Sequence, residues 1–148
     1  MLITIGFVLL LGLVFAKLEI AIEGSDGWAA SLPTWRIEKH WALDWFWGGR
    51  AMTGYHAWAF TLVALFFHFP LFFSADFSWA AEQRALASNM LFWVTEDFLW
   101  FVLNPAFGLR RFTRLHAHWH KNWIGGAPVE YWIFTPLGLA LMWRSYQG

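Results

Sequence analysis

The opening of the chain constrains it most. Residues 2–16 form an uncharged apolar run, and the pattern continues to Ile22 with only Lys17 and Glu19 interrupting. About 20 such residues, at 1.5 Å each along a helix, cross a hydrocarbon core of roughly 30 Å. A cleaved leader would carry basic residues ahead of the run and a small-x-small cleavage site. No Lys or Arg precedes this run, and Phe15-Ala16-Lys17 is a poor site. The segment therefore reads as a retained transmembrane helix.

Three further segments fit the same description. Residues 56–74, 87–107 and 129–145 are apolar stretches separated by polar or Gly/Pro-bearing connections. The last is the shortest and holds Pro136. Composition agrees: 59% of residues are hydrophobic and 14% charged, against about 45–50% and about 25% in soluble domains. So few charges do not coat a soluble surface. The 13 Trp and 16 Phe suit rings at two membrane interfaces and packing between spans. The expected fold is all-α, a single integral membrane domain over 1–148 with about four spans at 2–22, 56–74, 87–107 and 129–145.

The connection 24–54 holds Pro33, Gly48, Gly49 and the tryptophans Trp28, Trp35, Trp41, Trp45 and Trp47. It reads as an interfacial loop with a short helix over 36–47 in the headgroup plane. Orientation follows from the basic residues. Seven (Arg36, Lys39, Arg50, Arg110, Arg111, Arg114, Lys121) fall in the two long loops on one side, and two (Arg84, Arg144) on the other. An excess of Lys and Arg marks the cytoplasmic face. A bacterial-type inner membrane, crossed several times with both termini outside the cytoplasm, is the expected location.

Two classes of function fall away early. The chain has no cysteine, which excludes disulfides, thiolate ligands and Cys nucleophiles. Its formal charge is +0, so no basic field attracts nucleic acid.

The informative residues are ionisable groups at membrane depth, where a central Asp costs at least about 2.5–3.5 kcal/mol on insertion scales. Glu19 and Glu23 are four apart and share one helix face. His56 opens the second span at the same level. Glu96 and Asp97 lie inside the third span, about 15 Å from the cytoplasmic side at 1.5 Å per residue, and His68 lies roughly 18 Å from it. His68 and the Glu96-Asp97 pair are thus expected to meet between antiparallel neighbours. The loop after the third span carries His116, His118 and His120. As a helix it would turn His116 and His120 one way; as an extended segment it would line all three along one edge.

Together these groups predict a metal centre with Glu19, Glu23, His56, Glu96, His116 and His120 as ligands. Mixed carboxylate and imidazole donors suit iron first, and also manganese or zinc. A cation would compensate the buried negative charge. Asp97 and His68 are the expected proton-transfer groups. No His-Glu-x-x-His occurs, and only the 116–120 stretch resembles a histidine box of membrane desaturases.

Three functions stay open. The first is a membrane metalloenzyme, an oxidoreductase before a hydrolase, acting on a lipid-like, isoprenoid or quinone substrate. The second is an accessory subunit whose histidines ligate haem or pigment. The third is a proton-coupled carrier, although no inverted repeat is visible. Membrane lipids and an apolar small molecule are the expected partners, with a homo-oligomer or a larger membrane complex left open.

Overall fold

The structure is a computed structural model describing residues 1–46, 50–75 and 77–147, with the side chains of 44–46 set aside. It is mostly helical. The α-helices among the described residues are α1 (Leu2–Glu23), α2 (Trp41–Phe46), α3 (Gly54–Ser74), α4 (Trp79–Leu103) and α5 (Val129–Arg144). Strands β1 (Arg36–Ile37) and β2 (Met52–Thr53) form one antiparallel pair, and β3 (Trp123–Ile124) and β4 (Ala127–Pro128) another. Helices α1, α3 and α4 are long and apolar enough to cross a membrane. Helix α5, at 16 residues, extends about 24 Å.

Helix α4 is the hub, packed against α1, α3 and α5. One face of α1 is buried, with Val8, Gly12, Ala16, Glu19 and Glu23 at spacings of three and four, as one helical stripe requires. A Cβ built on Gly12 would sit 3.0 Å from Thr95 Cγ2, and one on Gly138 would sit 2.9 Å from Leu91 Cγ. Small residues thus let α1 and α5 approach α4 closely, the usual device where no hydrophobic effect drives helices together. The apolar core joins Val8, Val63, Phe67, Leu91, Phe92 and Met142. A second cluster, built on Ala16, Trp100, Phe101, Ala117 and Trp119, docks the 104–128 loop.

The surface is inverted relative to a soluble protein. Trp58, Leu62 and Phe69 of α3 are 71%, 64% and 60% exposed, whereas Glu19, Glu23 and Glu96 are 5%, 5% and 3% exposed.

Two sequence expectations need correcting. The third long helix begins at Trp79, eight residues before 87, and ends at Leu103. Ser78 caps it by accepting from the Ala81 N–H. Asn104 ends it, because a residue preceding proline avoids the α conformation. The helix expected over 36–47 is confined to Trp41–Phe46, and Trp47 lies outside the described residues. Arg36 and Ile37 pair instead with Thr53 and Met52, a contact across fifteen residues or more that local pattern does not encode.

The close approach at Gly12 is testable in detergent. Gly12→Leu should lower unfolding stability by about 1–3 kcal/mol through overpacking. Gly6→Leu, where an added Cβ meets nothing within 4 Å, should stay within about 0.5 kcal/mol. Equal effects of the two substitutions would refute the packing assignment.

Candidate metal centre

The centre is built where α1 ends and α3 begins. Glu19 and Glu23 project from the last turns of α1, and α1 stops at Gly24, whose φ is 68°. The chain then doubles back. Gly27 has φ 67°, and a Cβ there would lie 2.8 Å from the Trp119 ring. Trp28 and Ala29 follow with φ of 49° and 51°, a left-handed conformation that costs non-glycine residues of order 1–3 kcal/mol each. What holds this turn is specific. The Ala29 N–H donates to Glu23 Oε1, the Arg36 guanidinium donates to the carbonyls of Trp28 and Ala29, and Trp28 Nε1 donates to the Ala51 carbonyl at 2.8 Å.

Thr53 positions the imidazole. It caps α3 by accepting from the His56 N–H, and its Oγ1 lies 2.7 Å from His56 Nδ1. That contact fixes the ring and leaves Nε2 facing Glu23 Oε1 at 3.7 Å. Trp28 stacks on the imidazole with centroids 3.9 Å apart. One ligand atom from each of Glu19, Glu23 and His56 lies within 4.8 Å of the other two, and all three residues are buried. Bonds of about 2.0–2.2 Å to oxygen and nitrogen place opposed ligands about 4.3 Å apart, so the three atoms surround a space of ionic size.

Glu96 enters from α4. Its carboxyl contacts that of Glu19, which the Tyr55 side chain also reaches. Glu19 Oε1 and Glu96 Oε1 are buried without a hydrogen-bond partner, as is the indole Nε1 of Trp100 one turn further along α4.

A second polar group lies beside the first. Asp97 accepts from the Tyr131 hydroxyl, and His120 Nε2 lies 3.1 Å from Asp97 Oδ2. His120 Nδ1 is 4.0 Å from Glu130 Oε1, and Glu130 pairs with Arg50. Burial alone would depress the His120 pKa; the Asp97 carboxylate outweighs it and raises the imidazole above its ordinary value. In its protonated form His120 makes an ion pair with the Asp97 carboxylate. Neither His120 ring nitrogen is aligned for a hydrogen bond, so Coulomb attraction carries the interaction.

The structure thus sorts the sequence candidates. Glu19, Glu23 and His56 converge, and Glu96 joins them through Glu19. His120 turns inward but serves Asp97, while His116 is exposed with Nδ1 3.0 Å from Thr113 Oγ1. The 113–119 stretch is a run of turns, neither helix nor strand; His116 and His118 are exposed, and His120 is buried. His68 does not meet Glu96 or Asp97: its Nε2 lies 3.3 Å from Glu82, and its Nδ1 is bonded to the Ala64 carbonyl. Glu82 and Glu96 are fourteen residues apart on one helix, about 21 Å. The early start of α4 shortens the connection after α3 and sets His68 opposite the first turn of α4.

Sequence spacing does not mark Thr53, Tyr55, Glu130 and Tyr131 as site residues, and Arg50, a candidate partner for Glu19 and Glu23 by level, pairs instead with Glu130. Thr53 directly ahead of the apolar run is a readable N-cap signal. The Glu130-Tyr131 pair beginning α5 carries no comparable signature. Compared with family models, curated proteins and solved structures, the chain matches none of them.

A pH dependence follows from the ion pair. Because the folded state raises the His120 pKa, its stabilising contribution is complete below the unfolded value of about 6.5 and is lost as pH rises through the folded value. In detergent, this contribution to wild-type thermal stability should fall as pH rises above the unfolded value. Asp97→Asn should lose stability at low pH and flatten the slope. An unchanged slope in the variant would assign the dependence elsewhere.

Proposed function

We propose that this chain is a membrane-embedded, metal-dependent oxidoreductase acting on a lipid-like or isoprenoid substrate that reaches it sideways from the bilayer. The observation that carries this reading is the buried convergence of Glu19, Glu23 and His56. Carboxylates at this level need a compensating cation, and the donor set suits iron first, with manganese or zinc also able to occupy it.

The membrane setting of the proposal is a bundle in which α5 completes α1, α3 and α4 as a short fourth span, with 41–46 lying at the interface. The basic loops face the cytoplasm of a bacterial-type inner membrane, and both termini lie outside. The centre then sits near the cytoplasmic leaflet.

The substrate class rests on a groove of about 440 Å³ lined by Leu9, Val94, Phe98, Leu99, Phe112 and Tyr131. Its wall is apolar except at Thr95 and Tyr131, and Tyr131 donates to Asp97. An apolar chain could lie along this wall with a polar end at Tyr131, leaving Asp97 as the proton-transfer group. Such chains offer C–H and C=C bonds rather than esters, which favours a redox-active ion over hydrolysis. Ligation of haem by His56 fits less well, because Trp28 covers the ring face and Nε2 faces a carboxylate.

Metal analysis of the detergent-purified chain by mass spectrometry tests the reading. Iron, manganese or zinc should be retained, and Glu23→Gln or His56→Ala should abolish retention with helicity by circular dichroism preserved. Thr53→Val, which frees Nδ1, should weaken affinity about 10–100-fold. A folded preparation that holds no metal, even after loading, would overturn the proposal.

A further inference from the structure

Glu96 is not accounted for by one ion. The group that encloses an ion-sized space consists of Glu19, Glu23 and His56. Glu96 lies outside that set, is 3% exposed, and has an Oε1 without a partner. Its neighbour in contact, Glu19, likewise has a buried Oε1 without a partner. A buried carboxylate whose oxygen finds no donor bears a large desolvation cost.

The nearby cations do not fill this need. Arg50 is paired with Glu130, and His120 with Asp97. Arg36 donates to the carbonyls of Trp28 and Ala29. Among the described residues, no Lys, Arg or His forms an ion pair with Glu19 or Glu96.

Resting on the metalloenzyme reading above, we infer that the centre is dinuclear, with a second divalent cation between Glu19 and Glu96 and Glu19 shared by both ions. A carboxylate has two oxygens and about four lone-pair sites, so Glu19 can face Glu23 and His56 with part of its capacity and Glu96 with the rest. Two-metal sites with shared ligands hold their ions about 3.5–4 Å apart, a separation that one carboxylate spans. Two divalent ions over Glu19, Glu23 and Glu96 leave one excess positive charge, which an anionic ligand or substrate group balances. The competing arrangement is a proton shared by Glu19 and Glu96, and it predicts different measurements.

The probe is Mn(II) alone, loaded into the full-length detergent-solubilised chain and followed by dialysis. Wild type should retain about two Mn(II) per chain, with electron paramagnetic resonance showing an exchange-coupled pair. Glu96→Gln should retain about half as much metal and show an uncoupled ion. If that variant does not fold, the wild-type stoichiometry and spectrum decide alone. One uncoupled ion per wild-type chain, with a protonated-carboxyl infrared band that Glu96→Gln removes, would overturn the second site and leave the metalloenzyme reading standing. No bound Mn(II), iron or zinc would overturn both.

Discussion

The constraint on which this structure turns is electrostatic. Three carboxylates, Glu19, Glu23 and Glu96, are almost fully withdrawn from solvent in a chain whose outer face is apolar. Taking a carboxylate out of water costs several kcal/mol even after relaxation, so such a group persists only where something compensates it. Asp97 and Glu130 show what compensation looks like here: Glu130 pairs with Arg50, and Asp97 lies against His120 and accepts from a tyrosine hydroxyl. Glu23 has a backbone donor in Ala29. Glu19 and Glu96 each retain a bare oxygen.

The surrounding architecture is arranged to hold those groups. The loop leaving α1 adopts two successive left-handed residues to bring the Ala29 amide onto Glu23. Strain of that kind survives only where neighbours over-determine the backbone, and the Arg36 guanidinium on the Trp28 and Ala29 carbonyls, with the Ala51 carbonyl on the Trp28 indole, supplies that constraint. Asn104 at the end of α4 donates to the Gly24 carbonyl, tying the exit of α1 to the exit of α4. The same end of the molecule therefore gathers both long loops, while the opposite end is closed by ordinary contacts such as Arg84 with the Ser145 carbonyl. Rigid helices set the depth of the acidic groups, and the loops set their orientation.

How much of this could be read from the sequence follows from the range of the forces involved. The three long helices were legible because apolar runs of span length have few other uses. Glu19, Glu23 and His56 were legible because a four-residue spacing and a common level are local properties. The start of α4 was hidden by Glu82, Gln83 and Arg84, polar residues in its first two turns that read as a connection. The end of α4 matters for His68: α4 stops at Leu103 rather than 107, so Glu96 lies nearer that end of the bundle than His68 does, and the neighbour of His68 is Glu82. The histidines of 116–120 depended on whether the stretch was helix or strand, and it is neither. Arg50, Glu130 and Tyr131 come from segments far apart in the chain, and no periodicity announces a contact across eighty residues.

The adjacency of Glu96 and Asp97 explains why both polar groups exist side by side. Consecutive helical residues point about 100° apart, so two neighbours on α4 address two different partners. Glu96 turns to Glu19 of α1, and Asp97 to Tyr131 of α5 and His120 of the loop. Helix α4 lies between α1 and α5, so a single turn of it joins the carboxylate cluster to the residue on the wall of the apolar groove. Shifting that pair by one position would aim at most one carboxylate correctly. In the proposed reading, the Glu-Asp dipeptide would couple the ion-binding cluster to the proton-transfer group, because its two side chains address the carboxylates of α1 on one side and the tyrosine on the groove wall on the other.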